Sequence, residues 1–217
     1  MPSLGDLLSR HASVLWIDAA SSSVQAGILA ADEPARWAQV EGDAGTGVFT
    51  ATAKLGVNIG QVEAFVFCEG PGSILGIRTS AMAIRAWTAV RPRPVYAYRS
   101  LELVALNLRR AHVSVIADAR RETWHCLATD ADGAPTPLRR IPTASLSGNL
   151  VTPAGFRCWS AFPAGAIETV PYDLPALVPA LGHADLLRPT EDPDAFLHEE
   201  PTYVTWTPQV HQSPAAE

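Results

Sequence analysis

The residues of this chain that could do chemistry gather in a few short strings. The richest is Cys68-Glu69-Gly70-Pro71-Gly72-Ser73, set between the apolar run Ala64–Phe67 and the apolar stretch Ile77–Val90. A glycine-rich loop in that setting can serve a ligand. Glycines let the backbone turn at positive φ and approach a neighbour closely, and free N–H groups at a helix start receive an anion. Gly70, Gly72 and Ser73 are therefore candidate cofactor-binding residues. The alternative is a tight strand-to-helix turn with nothing bound. Cys68 lies near the same helix start, which could lower its thiol pKa; it could equally be a small buried residue. A second string, Asp118-Ala119-Arg120-Arg121-Glu122, could close an ion pair on itself or present a basic spot to a partner.

Machinery for making or breaking bonds is harder to find. Two histidines four apart on one helix face can share a metal ion. The histidines here are His11, His112, His125, His183, His198 and His211, and the nearest pairs are thirteen apart. A serine nucleophile needs a base and a carboxylate, and its GxSxG elbow is missing; nothing aims a base at Ser73. The phosphate-binding pattern GxxxxGK[ST] is missing too. The expectation is a chain with no catalytic residue, no metal and no cofactor of its own.

Composition narrows the class further. The 217 residues are 47% hydrophobic, enough for one large domain or two small lobes. The net charge of −6 argues against gripping nucleic acid alone, because phosphate binding needs concentrated positive charge. Cys68, Cys126 and Cys158 are odd in number and form no CxxC pair, which fits a reduced cytoplasmic setting. Met1–Ser13 has no apolar core of the kind a signal peptide needs, and no stretch reaches the roughly 18 apolar residues of a membrane span.

These strings need elements to position them. Val14–Ile17, ending in Asp18, and Val24–Leu29 read as a hairpin joined by the serine-rich turn Ala19–Ser23, with a third strand at Arg36–Val40. Thr46–Leu55 reads weakly as a helix, being rich in threonine and glycine. Ala64–Phe67 is a buried strand, Ile77–Val90 a buried helix stopped by Pro92 and Pro94, and Val95–Tyr98 the next strand. Ser100–Leu108 reads as a helix with Ser100 at its N-cap. Val113–Ala117, Asp118 and Thr123–Thr129 repeat the opening pattern of strand, aspartate, polar turn and strand, a faint internal duplication. Beyond Pro135 the pattern fades. One strand is expected near Phe156–Trp159, a proline-broken helix within Leu174–Leu187, and a disordered tail over 207–217.

The string from Gly70 to Arg78 resembles the GPGSFTGLR signature of the TsaB (YeaZ) family, relatives of the M22 glycoprotease group. Further marks follow in order. Leu15–Ser21 resembles the family's opening IDTS strand, and Tyr98-Arg99-Ser100-Leu101-Glu102 its SSLE helix start. Asp118–Glu122 resembles the DARR-E turn, and Pro201-Thr202-Tyr203 the closing P-x-Y motif. The chain departs from the pattern at Val40–Ala44, where a histidine–serine pair is usual, and at glycine- and threonine-rich Gly45–Ala53. It departs again at Ile74-Leu75, where Phe-Thr is usual, and at Thr205, where an arginine is usual.

The resemblance implies an α/β actin-like (ASKHA, ribonuclease H-like) fold with two related lobes, residues 14–98 and 99–206. It places Asp18 where actin-like kinases hold Mg–ATP, so Asp18 joins the weak cofactor candidates; the alternative is a structural or partner-facing role. It implies a non-catalytic subunit that supports a TsaD-like enzyme in threonylcarbamoylation of adenosine 37 of tRNA, with a TsaE-like ATPase as a further partner. Self-association into a homodimer would use the same surface, tRNA would be met only indirectly, and no membrane is involved. The partner would dock on the helix after the glycine loop, through Ile77, Ala81, Ile84, Arg85 and Thr88. The resemblance leaves open an actin-like phosphotransferase or a glycoprotease-type hydrolase.

Overall fold

The computed structural model describes residues 1–163, 165–180 and 182–196. Pro201-Thr202-Tyr203, Thr205 and the 207–217 tail lie outside them. Two sheets carry the chain. In the first, strands β1 (Val14–Asp18), β2 (Ser23–Leu29) and β3 (Arg36–Glu41) form an antiparallel meander, and β4 (Ala64–Gly70) and β5 (Val95–Arg99) add in parallel beside β1. In the second, β6 (Val113–Asp118), β7 (Thr123–Ala128) and β8 (Arg139–Pro142) repeat the meander, and β9 (Asn149–Pro153) and β10 (Ile167–Val170) add in parallel beside β6. The order 5-4-1-2-3 thus recurs as 10-9-6-7-8. The faint duplication in the sequence is a duplication of topology, the two-lobed actin-like plan. A short β11 (Arg188–Pro189) then returns to the first sheet and pairs antiparallel with β5.

The apolar runs follow from burial on both faces. In β1 and β4, Leu15, Ile17, Phe65 and Phe67 face α2 (Ala44–Lys54) and α3 (Ile74–Val90), meeting Val48, Ala51, Ala81 and Ile84. The alternate residues Val14, Trp16, Val66 and Cys68 face the other way, into a core shared with α4 (Ser100–Leu108). Leu101, Leu103, Val104 and Ala105 of α4 sit between the sheets, in one cluster with Val113, Val115, Leu127 and Val151 of the second. Burying one such leucine is worth roughly 2 kcal/mol.

Local signals explain most boundaries. Ser73 caps α3, its hydroxyl accepting the Gly76 N–H, so that helix begins at Ile74, three residues before the expected start. Asp43 caps α2, accepting the Thr46 N–H. The glycine- and threonine-rich segment is therefore a full helix, held by its buried face Val48, Ala51 and Thr52. Several expectations need correction. Ser100 is the first helical residue of α4 and not its cap; its hydroxyl donates to the Pro71 carbonyl at 2.6 Å. The strand expected near Phe156–Trp159 lies earlier, at β9, where Leu150 and Val151 enter the core. Helices α1 (Leu4–Arg10) and α5 (Leu174–Ala180) frame the described chain. The first opens on a Ser3–Asp6 capping box.

Candidate functional site

The glycine loop proves to be a packing device first. The start of α3 lies against the turn of the first hairpin. A Cβ at Gly72 would sit 2.5 Å from the Ala20 carbonyl oxygen, and one at Gly76 would sit 2.0 Å from the Ala19 carbonyl oxygen. No side chain fits there. The Ser73 N–H donates to the Ala20 carbonyl at 2.8 Å, which ties loop and hairpin together. Gly70 is buried at φ 116°, with the Ile77 side chain against it. Of the candidate cofactor residues in this loop, only Gly72 and Ser73 reach an open space.

Asp18 does not reach one. Its side chain is fully buried and its carboxylate is occupied on all sides. The hydroxyls of Tyr98 and Tyr172 donate to Oδ2, and the Ala20 N–H donates to Oδ1 at 2.8 Å. Burial raises its pKa, against the opposing pull of the hydrogen bonds from Tyr172, Tyr98 and Ala20. This corrects the candidacy of Asp18 as a ligand to a metal–nucleotide. Tyr98 comes from the first sheet and Tyr172 from just before α5, so Asp18 fastens two parts of the fold where a nucleotide-handling aspartate would need to be bare. Gln25 reinforces the clasp, donating to the Tyr172 carbonyl at 2.9 Å and accepting the Leu174 N–H at 2.9 Å. Cys68 lies beside it, and burial pushes its thiol well above the ordinary value. It is the inert reading of Cys68 that fits.

Asp118, its counterpart in the second sheet, behaves differently. Neither the expected ion pair with Arg120 nor one with Arg121 is what holds it. Its carboxylate accepts backbone N–H groups from Arg120 at 2.6 Å, Ser160 at 2.7 Å and Trp159, and the Ser160 hydroxyl at 2.9 Å. Partial burial pushes its pKa up, but these bonds from Ser160, Trp159 and Arg120 outweigh it and hold the carboxyl below its usual range. The turn that follows runs through three consecutive left-handed residues, Arg120, Arg121 and Glu122, at φ 63°, 51° and 56°. The Arg120 guanidinium lies over the Trp159 ring, 5.3 Å from its centroid.

Between these two hairpin ends opens a cleft of about 360 Å³. Gly72, Ser73, Ile74 and Leu75 line one side, and Asp118, Arg120, His125, Phe156, Arg157 and Trp159 the other. The sequence brought Gly72, Ser73 and Asp118-Ala119-Arg120 into view. The 156–159 segment, expected as a strand, instead joins the site as a loop from some forty residues beyond Asp118. Among the described residues, no group of three or more His, Cys, Asp or Glu side chains could hold a metal ion. No described helix is long and apolar enough to cross a membrane.

The expected partner residues divide. Ile77, Ala81 and Ile84 are buried against the chain's own first sheet, at 0%, 1% and 0% exposure, so they offer nothing to another subunit. Thr88 is half-buried and donates to the Ile84 carbonyl at 2.9 Å. Arg85 is exposed and paired with Asp192. The face of α3 that looks outward is another one: Leu75 and Met82 are 68% and 58% exposed, Val90 is 88% exposed, and Ala86 and Ala89 lie between. Phe49 of α2, 52% exposed, extends this strip and touches Trp87 edge-on at 6.3 Å.

Residues 46–131 match the model of the family described as TsaD, tRNA N6-adenosine threonylcarbamoyltransferase. No curated protein matches the chain. Among solved structures, YeaZ from Pseudomonas aeruginosa is similar with a TM-score of 0.58 at 17% identity, over 78% of this chain and 89% of that one. A second protein, described as uncharacterized with similarity to peptidase YEAZ from Pseudomonas aeruginosa, gives a TM-score of 0.52 at 18% identity, over 65% and 75%. At such identities these structures establish a shared fold. The stretch that matches the TsaD family model holds both the glycine loop and the Asp118–Glu122 turn, and the fold around them is the one shared with the YeaZ structures.

Proposed function

We propose that this chain is a non-catalytic subunit that docks on a TsaD-type enzyme and supports it in threonylcarbamoylation of adenosine 37 of tRNA. The observation that carries the reading is the strip Leu75, Met82, Ala86, Ala89 and Val90 on α3, continued by Phe49 on α2. An apolar strip that is exposed among the described residues marks a place for another protein. At helical spacing the strip runs between Phe49 on one side and Arg78 and Arg85 on the other, an apolar centre with a charged rim. Homodimerisation in the absence of the enzyme would cover the same strip, and a TsaE-type ATPase would join the assembled pair in the cytoplasm. The sealed Asp18 carboxylate weighs against a nucleotide-dependent phosphotransferase. Bond chemistry on the tRNA is left to the partner.

The test is co-purification with a TsaD-type subunit, followed by tRNA modification in a strain depleted of its own TsaB. Met82→Arg and Ala86→Asp are expected to abolish capture and modification while the chain stays folded. Capture undiminished in both variants would refute the docking strip.

A further inference from the structure

We propose that the end of the second hairpin is a binding platform for single-stranded RNA, with a base stacked on Trp159 and phosphates held by Arg120, Arg121 and Arg157. The net charge of −6 argues against nucleic acid only if charge is spread evenly, and it is not. Residues 109–163 carry seven arginines against four carboxylates, with Arg109 and Arg110 before β6 at the end away from the cleft, where Arg110 pairs with Glu168. Two of those carboxylates, Asp130 and Asp132, follow β7 at the end of the sheet away from the cleft. At the cleft end stand Asp118 and Glu122. Asp118 is engaged by three backbone N–H groups and a hydroxyl, which leaves Glu122 as the exposed opposing charge against exposed Arg120, Arg121 and Arg157.

The aromatic surface is in place beside this charge. Trp159 is 64% exposed and Phe162 55% exposed, although apolar rings of that size are ordinarily covered. Phe162 has the buried Trp124 behind it, with centroids 5.7 Å apart, so the ring is supported from inside and open outside. Exposed rings interleaved with arginines are the chemistry that grips unpaired nucleotides, because every base has a π-face and every nucleotide brings a phosphate. Arginine suits both tasks, stacking through its plane and forking onto phosphate oxygens.

Asp118 gives the arrangement its stiffness. One carboxylate takes the N–H of Arg120 on the hairpin and the N–H groups of Trp159 and Ser160 on the distant loop. It therefore fixes the backbones of Arg120 and Trp159 relative to each other before any ligand arrives, with the Arg120 guanidinium 5.3 Å from the Trp159 ring centroid. We read Asp118 as the positioning residue of the platform. The reading leans on the proposed tRNA role only for the identity of the natural RNA; the platform itself is argued from charge, exposure and geometry.

The test uses the full chain alone and a fluorescein-labelled ten-nucleotide oligoribonucleotide of mixed sequence, read by anisotropy and by quenching of tryptophan emission. Trp159→Ala is expected to weaken binding about tenfold, in keeping with the loss of one stacked base, and to abolish most of the quenching. Arg120→Ala with Arg157→Ala is expected to weaken binding and to lower the slope of affinity against salt by one to two contacts, at about 0.7 per phosphate on a single strand. Asp118→Asn is expected to weaken binding with Arg120 and Trp159 both present, and Arg10→Ala on the far side to leave it unchanged. Absence of binding, or affinity indifferent to Trp159→Ala and the arginine pair, overturns the proposal. Equal affinity for free AMP and the oligonucleotide overturns it too, since the occupant would then be a free nucleotide. Capture of a TsaD-type subunit, scored separately on the α3 strip, tells this failure from a failure of the proposed function.

Discussion

Asp18 and Asp118 end corresponding strands of the two sheets and sit in opposite electrostatic settings. Asp18 is sealed, and burial raises its pKa despite bonds from Tyr172, Tyr98 and Ala20. An unfolded aspartate titrates at about 3.9. The folded chain therefore binds this proton more tightly than the unfolded one, and the stability contributed by the group falls as pH climbs from about 4 toward the raised value. Asp118 is held below its usual range by amide hydrogen bonds that outweigh its partial burial. Its contribution is complete above about pH 4 and is lost as pH falls through the lowered value. Asp18→Asn is thus expected to flatten the decline on the alkaline side of that point, and Asp118→Asn to remove part of the loss on the acid side. Urea midpoints measured from pH 3 to pH 7 check both, and superimposable profiles for the two variants would contradict the assignment. Both aspartates stood out in the sequence as the ends of apolar runs. Their difference did not, because it depends on Tyr172 and Trp159, which reach them from 154 and 41 residues away.

At the scale of elements, α3 shows what periodicity can and cannot say. The apolar pattern over Ile77–Val90 identified a helix correctly. It could not say which apolar face meets the chain's own sheet and which is left over, because alanines lie on both, Ala81 and Ala83 buried and Ala86 and Ala89 exposed. Ile77, Ala81 and Ile84 proved to be core, so Ile84→Asp would unfold the chain and report nothing about a partner. The helix start is equally constrained by its neighbour. Gly76→Ala places a Cβ 2.0 Å from the Ala19 carbonyl oxygen, backbone that cannot swing aside as a side chain could. A loss of at least about 2 kcal/mol is expected from overpacking, measured by chemical denaturation, and a change under 0.5 kcal/mol would show that the hairpin turn yields freely. Elements beyond Pro135 were poorly legible for a physical reason. Strands β8 to β11 are two to five residues long, too short for an alternating pattern to declare itself, and the aromatic run Phe156–Trp159 mimicked a strand while serving as a loop.

Over the whole molecule, the repeat of strand order between the sheets was legible only as a resemblance between two hairpins. The later strands that complete the repeat carry little pattern of their own. What joins the halves is polar as well as apolar. Gln25, 2% exposed, satisfies a carbonyl and an N–H of the Tyr172–Leu174 segment, while Asp18 takes the hydroxyl of Tyr172. Gln25→Leu would leave two buried backbone groups without partners, and a loss of about 2 to 4 kcal/mol is expected. Denaturation of this variant should remain a single transition with a lower midpoint; a midpoint equal to that of the native chain would mean that the segment finds other partners.

The return of the chain at Arg188–Pro189 carries a consequence for biosynthesis. Until that short strand has left the ribosome, the flank of β5 has no neighbour, and its unpaired amide and carbonyl groups face outward. Glu102 waits as well, since Arg188 arrives with the same segment, whereas Glu69 already has Arg99 as a partner. The first-made half of this protein therefore ripens last. A nascent chain stalled after its second hairpin would display a sticky border that the finished molecule hides, and it would depend on chaperones or on quick completion of synthesis to avoid pairing with its neighbours.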